Sequence, residues 1–266
     1  MTKRYDIIWL ESVDSTNSEA KRRLSDIDNL SVLSSLSQSE GRGQKGNKWS
    51  STPGENLTFS IVLKFGAEVM DKSLISFQVA AKEQFVLTEI TSLSIVEFLS
   101  RHGITAQIKW PNDIYVGDKK ICGVLIENSL RGAHLSSSII GIGLNINQRN
   151  FDVNLPNPTS MALETGLQED IKGGLEEFMD IFQQTLFAAL SSDHNLRESY
   201  LSHLWRRNIP AQFLNLTGQG SYECQHPGRE FRGIIRSVSP IGHLLLEDTE
   251  KGELKEFAFK EISYIL

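Results

Sequence analysis

The segment Gln38-Ser-Glu-Gly41-Arg-Gly43-Gln-Lys45-Gly46-Asn-Lys48-Trp49 restricts the fold more than any other stretch of the chain. Its glycines match G-x-G-x-x-G, the dinucleotide fingerprint. That fingerprint works only where a strand precedes it and a helix opens directly after it, so that phosphate sits on the helix N-terminus. Here Trp49-Ser-Ser-Thr-Pro53-Gly54 follows, which does not start a helix of any length. Gly41 and Gly46 also have the gap of a P-loop, but Asn47 stands where that loop needs its lysine. Both readings fail. What remains is a polar loop with close backbone approach and three cations, Arg42, Lys45 and Lys48. Amides and cations together suit a phosphate or carboxylate, although a solvated basic turn has the same composition.

Around this loop the chain reads as strands and helices in a definite order. Ile7–Leu10 is a short apolar strand, and Thr16-Asn-Ser-Glu19 fits a capping box with Thr16 as the cap. Ala20 and Leu24 then share one face of a short helix. Ser31–Leu36 reads as a second strand, and Leu57–Leu63 alternates as a strand should. A helical stretch runs from about Ser73 to Arg101, unbroken or broken once near its middle, with Gly103 as its stop signal. Four strand candidates follow: Gln107–Trp110, Asp113–Val116, Ile121–Glu127 and Ser138–Asn145. After a loop rich in Asn and Pro, Leu175–Leu190 reads as an amphipathic helix. From Ala211 the texture changes to short strands (Phe231–Ile235, Gly242–Glu247, Glu256–Phe259, Ile262–Leu266), a spacing that suggests a small barrel or sandwich. The boundary falls near Asn208–Pro210.

Composition bounds the function classes. The 266 residues suffice for a core without staples, and 39% hydrophobic with 23% charged residues describes a globular protein. With 27 Lys+Arg against 33 Asp+Glu the net charge is −6, which disfavours general nucleic-acid binding while leaving room for a local anion site. No apolar run approaches membrane-spanning length, and the N-terminus does not read as a signal peptide. Cys122 and Cys224 form no disulfide framework, so a reducing cytoplasm is expected.

Several short motifs carry candidate chemistry. In Lys109-Trp-Pro-Asn-Asp113, Pro111 keeps Trp110 extended, and Asn112-Asp113 turns into the next strand. Lys119-Lys120 is either a hairpin tip or, for Lys120 at a strand start, an ammonium aimed into a site. Gly141-x-Gly143-x-Asn145 places two glycines in a strand, which marks either a close approach or a bulge. Ser15-Thr16-Asn17 is a helix cap or the wall of a small-molecule pocket. His102, His134, His194, His203, His226 and His243 show no metal-ligand spacing. Cys122, in an apolar strand, reads first as a small buried hydrophobe and second as an acyl-accepting nucleophile.

Taken in order, Ser15-Thr-Asn17, Gln38, Gly41-Arg-Gly43, Trp49, Lys109–Asp113, Lys120, Gly123 and Gly141-x-Gly143-x-Asn145 resemble the biotin–protein ligase family, of holocarboxylase synthetase type. The resemblance implies an α+β fold. Residues 1–209 would form a catalytic domain with a mixed β-sheet and packed helices, similar to class II synthetases, and 210–266 a small SH3-like β-barrel. It also implies an enzyme that joins biotin to AMP with ATP and Mg²⁺, releases pyrophosphate, and passes the biotinoyl group to a lysine of a biotin carboxyl carrier domain. By the resemblance, Ser15, Thr16, Asn17, Gln38, Arg42, Gly43, Gln44, Trp49, Lys120 and Gly123 would meet biotin. Lys45, Lys109, Asn112 and Asn145 would face ATP, and Lys120 and Arg42 would be catalytic, with no protein-held metal. A homodimer stays open. DNA and membrane are not expected as partners, since the chain begins at the first catalytic strand without a helix-turn-helix module. Lipoate or octanoate ligases and transferases, implied to share the fold, are the nearest rivals. Where the family most often has a second Arg, this chain has Gln44, which gives up charge and the planar fork; looser retention of the adenylate is expected.

Overall fold

The computed structural model describes residues 4–66, 78–190, 195–217 and 228–265, apart from the side chains of Lys45 and Leu190. Strand β1 (Asp6–Val13) leads through helix α1 (Thr16–Arg22) into β2 (Ser31–Gln38). These two strands pair in parallel, Ile8 opposite Leu33. The glycine-rich loop then runs to β3 (Leu57–Lys64). Helix α2 (Val86–Arg101) precedes four short-linked strands: β4 (Gln107–Lys109), β5 (Asp113–Val116), β6 (Lys119–Arg131) and β7 (His134–Leu144). Together the seven form one mixed sheet in the order β1-β2-β3-β7-β6-β5-β4, antiparallel everywhere except at β1–β2.

Alternation along the strands divides the sheet into two faces. Phe59, Ile61, Ile140, Ile142 and Val124 bury one face against α2 and α4 (Ile171–Leu190), where Phe98, Phe178 and Phe182 pack. Leu33, Val62 and Ile139 point the other way and are covered by Ala20 of α1 and by Ile27. Beyond this small second cluster, the same face carries Thr58, Ser60, Gly141, Gly143 and Gly123, by the period of two along each strand. With Leu125 as the apolar side chain among these small and polar residues, that part of the face is not closed by core packing, and it becomes the floor of a cavity.

Short helices α3 (Met161–Thr165) and α5 (Leu196–Ser202) complete the helical layer. The C-terminal strands are β8 (Pro210–Asn215), β9 (Arg229–Val238), β10 (Leu244–Asp248), β11 (Leu254–Phe257) and β12 (Ile262–Tyr264). They form an antiparallel sheet in the order β11-β10-β9-β8-β12. The sheet accords with a small SH3-like unit, but among the described residues no pairing of β11 with β12 closes it into a barrel. It meets the larger sheet through the Trp110 indole, which donates to the Gly242 carbonyl at 2.9 Å. No helix among the described residues is long and apolar enough to cross a membrane.

Three sequence expectations are corrected. The helix expected from Ser73 begins at Val86. The Val79 carbonyl accepts from Leu135 and the Ala81 amide donates to Ala133, so the chain there is held extended against the β6–β7 turn. Residues 73–77 lie outside the described residues. Thr16 is not the cap of α1: Ser15 holds that position without a side-chain cap bond, and the Thr16 hydroxyl is engaged with Ser60 instead. Strand β8 and helices α3 and α5 were not expected. In β8 only Phe213 is buried, so alternation there is too weak to read.

Candidate active site

Register builds the site. Ser60, Gly141 and Leu125 are cross-strand neighbours on β3, β7 and β6, and two residues along lie Thr58, Gly143 and Gly123, with Asp113 of β5 beyond. Over the first row lies the Asn17 side chain. A Cβ on Gly141 would fall 2.2 Å from Asn17 Oδ1. The Trp49 indole lies over the second row, where a Cβ on Gly143 would fall 2.3 Å from Trp49 Cε2. The register shifts within β6–β7 only between Ser129 and Leu130, so these glycines mark close approach and not a bulge. What approaches them is side chain.

The cavity above this floor measures about 420 Å³, within the range of small-molecule sites. Ser15, Thr16 and Asn17, all nearly fully buried at the start of α1, form one wall. Gln38 fixes that wall by accepting from the Thr16 amide at 2.8 Å. Arg42, Gly43, Gln44, Lys48 and Trp49 bring the glycine-rich loop to the rim. The loop is tied into a tight turn: the Gly43 amide donates to Asn47 at 2.7 Å and the Trp49 amide to Gly41 at 2.9 Å. Lys45 lies in its 3₁₀ turn, and its side chain is outside the described residues.

The cations differ in their partners. Lys120, near the start of β6, sets its ammonium 2.7 Å from Asp113 and 5.8 Å from the centre of the Trp49 ring. Arg42 pairs with Glu127 through both terminal nitrogens, at 2.6 and 3.2 Å. Lys109 donates to the Tyr115 hydroxyl at 2.9 Å, and its ammonium lies within 5.5 Å of the ring centres of Tyr115, Trp205 and Tyr264. Asn112 lines the cavity while its amide donates to the Val124 carbonyl.

One expected site residue sits elsewhere, and Cys122 is the buried hydrophobe it first reads as. Asn145 is buried outside the lining, donating to the Thr159 carbonyl at 2.9 Å; Thr159 in turn donates its amide to Lys120. Asn145 thus supports the strand start that carries Lys120. Cys122 is fully buried on the core face, and burial pushes its thiol well above the ordinary range. A neutral, inaccessible thiol is no nucleophile. Cys224, His194 and His226 lie outside the described residues.

Sequence reasoning missed Asp113, Ser60 and Glu127, and the C-terminal residues Phe259, Ile262, Ser263 and Tyr264 that roof the cavity. Alternation along Leu57–Leu63 signalled that Thr58 and Ser60 share a face, but not that the face was a site. Three polar atoms on the lining are buried with no hydrogen-bond partner: Gln44 Oε1, Trp49 Nε1 and the Tyr264 hydroxyl. Unpaired buried polar atoms cost stability, and their grouping on one cavity is what a polar ligand would relieve. No cluster of three or more metal-ligating side chains occurs among the described residues.

Comparison with known proteins agrees with this geometry. The Bifunctional ligase/repressor BirA of Escherichia coli is 25% identical over 96% of this chain and 72% of its own length. The Biotin–[acetyl-CoA-carboxylase] ligase of Paracoccus denitrificans is 28% identical over 65% of this chain and 68% of its own. Among solved structures, the biotin protein ligase of Aquifex aeolicus in complex with biotin and ATP matches with a TM-score of 0.73 and 27% identity, over 97% of both chains. Residues 9–145, which carry α1, the glycine-rich loop and the floor strands, match the biotin/lipoate A/B protein ligase family. The chain belongs to the biotin/lipoate A/B protein ligase family.

Proposed function

We propose that this protein is a biotin–protein ligase: it activates biotin with ATP to biotinoyl-5′-AMP and transfers the biotinoyl group to a lysine of a biotin carboxyl carrier domain. One juxtaposition carries the reading. The Lys120 ammonium stands one row of the sheet away from an acceptor-rich wall at Thr16 and Asn17, over a floor whose glycines, Gly141 and Gly143, seat the Asn17 and Trp49 side chains. A small acid with a polar head fits that spacing, with its head on the wall and its carboxylate toward the ammonium.

The first step brings a carboxylate to the α-phosphorus of ATP. A biotin carboxylate oxygen forms the new P–O bond, the bond to the β-phosphate bridging oxygen breaks, and pyrophosphate leaves. Repulsion between the two anions opposes approach, so positioning and charge neutralisation are what the protein must supply. Lys120 and Arg42 supply the charge, each shared between the substrate anions and its carboxylate partner, Asp113 or Glu127. Lys45, Lys109 and Asn112 serve the nucleotide side, and Asn145 acts through the strand that bears Lys120. Asp113 is the carboxylate among the described lining residues. One carboxylate with substrate phosphates suffices for Mg²⁺, which when bound neutralises phosphate charge. In the second step a carrier lysine amine attacks the acyl carbon, the acyl–phosphate C–O bond breaks, and AMP departs. No enzyme nucleophile is needed.

The seven-stranded sheet with its helices, residues 1–209, would be the catalytic unit. Residues 210–266 would be a smaller β unit whose last strand roofs the cavity. A cytoplasmic location goes with this reading, since Cys122 and Cys224 show no disulfide framework in the sequence. The test is to incubate the protein with ATP, Mg²⁺ and either biotin or lipoate, together with a carrier domain. Mass spectrometry should find biotinoyl-AMP and a biotinylated carrier. A lipoyl-adenylate alone, or loss of transfer in Cys122→Ser, would overturn the reading.

A further inference from the structure

Glu127 lies on the floor strand β6, and its Oε2 accepts from both Asn17 Nδ2, at 2.8 Å, and Arg42, at 2.6 Å. The second hydrogen of the Asn17 amide goes to the Leu125 carbonyl at 3.3 Å. Carboxylate and carbonyl are acceptors only, so they fix which way the amide lies: its NH₂ faces β6 and its oxygen faces Ser60. Ser60 Oγ stands 2.6 Å from that oxygen and 2.8 Å from Thr16 Oγ1. A hydroxyl has one proton to give. Ser60 must give it to Asn17, so in the other contact Thr16 is the donor. The Thr16 oxygen is then left with lone pairs alone, as is Asn17 Oδ1.

We infer that Glu127 is a positioning residue that sets the hydrogen-bond polarity of the Glu127–Asn17–Ser60–Thr16 chain. Through it the Thr16 and Asn17 part of the head-group wall presents acceptors only and selects a substrate edge bearing N–H donors. This rests on the biotin reading and deepens it: a ureido ring offers two such donors, and a dithiolane ring offers none. Glu127 on β6 and Ser60 on β3 lie in adjacent register rows on either side of β7, and Thr16 and Asn17 at the start of α1 join them, so two of the four members are held by the sheet and two by the helix packed on it. Glu127 and Arg42 are partly exposed, at 34% and 40% of their side chains, so their ion pair contributes little by itself. The Asn17 amide is oriented by its bonds to Glu127 and Leu125 whether or not that pair forms.

The experiment compares Glu127→Leu, which removes the acceptor, with Glu127→Gln, whose carbonyl oxygen still accepts from Asn17. Calorimetric titration should show biotin affinity lowered tenfold or more in Glu127→Leu, and within about threefold of the parent in Glu127→Gln, on the scale of one charge-assisted hydrogen bond. In an Asn17→Ala background Glu127→Leu should add no further loss. Equal affinity of Glu127→Leu and parent, or a full additional loss in the Asn17→Ala background, overturns the inference. A readout without ligand separates it from the function proposal. In ¹⁵N spectra the Asn17 side-chain NH₂, assigned by its absence in Asn17→Asp, should be displaced from the free-amide position in the parent and return there in Glu127→Leu. A parent that binds no biotin sinks the function reading alone. An Asn17 amide signal indifferent to Glu127 sinks this one.

Discussion

Replacing Lys120 by Ala separates catalysis from folding. The ammonium lies 2.7 Å from the Asp113 carboxylate, with side chains 33% and 25% exposed. At that distance, and with an effective dielectric of about 20, the attraction is roughly 6 kcal/mol before desolvation and side-chain ordering are charged against it. Net of those costs, partly exposed pairs are worth about 0–1 kcal/mol to stability. A thermal melt should therefore move by only a few degrees. In the reaction the same ammonium is shared between Asp113 and the anions meeting at the α-phosphorus. An equal division leaves about 3 kcal/mol for the transition state, or roughly a hundredfold in rate. Biotin-dependent exchange of labelled pyrophosphate into ATP measures the first step directly, and Lys120→Ala should lower it about 100-fold at saturating ATP. Lys120→Arg should recover only part, because a fork that seeks two acceptors does not replace a point charge beside Asp113. A folded Lys120→Ala protein within fivefold of the parent would refute the role.

Gly143→Ala would put a methyl 2.3 Å from Trp49 Cε2 and lift the indole off the floor. Because Trp49 belongs to a loop, stability should fall by no more than about 1–2 kcal/mol, while calorimetry should show biotin affinity down at least tenfold. Gln44→Arg should slow release of the adenylate, measured by quenched-flow partitioning between free and bound intermediate; equal release rates would remove the idea. Glu89, 4% exposed, has its carboxyl pushed up to about 7 by burial, against the Arg197 guanidinium 2.7 Å away that it shares with the Val238 and Ser239 carbonyls. The folded state thus holds that proton more tightly than the unfolded chain. Its contribution, up to about 3 kcal/mol, is complete below pH about 4.5 and is lost as pH rises through 7. Urea titrations should therefore show Glu89→Gln gaining stability relative to the parent between pH 5 and pH 8, and a pH-independent difference would contradict it.

How much of this was legible depended on the range over which each feature is encoded. Strand periodicity is local, and it placed β3, β5, β6 and β7 within a few residues of their observed limits. The glycine-rich loop, from its own residues, read equally as an anion site or a solvated basic turn, and it was the ordered resemblance that marked it as a site component. Thr16 misled for a physical reason: a hydroxyl before a helix satisfies a cap or a cavity equally well, and only Ser60, on another strand, decides between them. Asn145 misled similarly. It follows the two glycines by the period of two, but β7 ends at Leu144, and the amide turns to Thr159. Register is the non-local part. Ser60, Gly141 and Leu125 meet because three strands align, and no pattern within any one of them reports that alignment. The roof from Phe259 to Tyr264 is more remote still, since it needs a second sheet docked over the first. The residues that resemble a family could be read along the chain because they recur there in order. Glu127 and Ser60, which orient those residues, become visible only when donors and acceptors are counted in three dimensions. A substitution at either would leave every recognisable motif intact while changing what the wall of the cavity can bind.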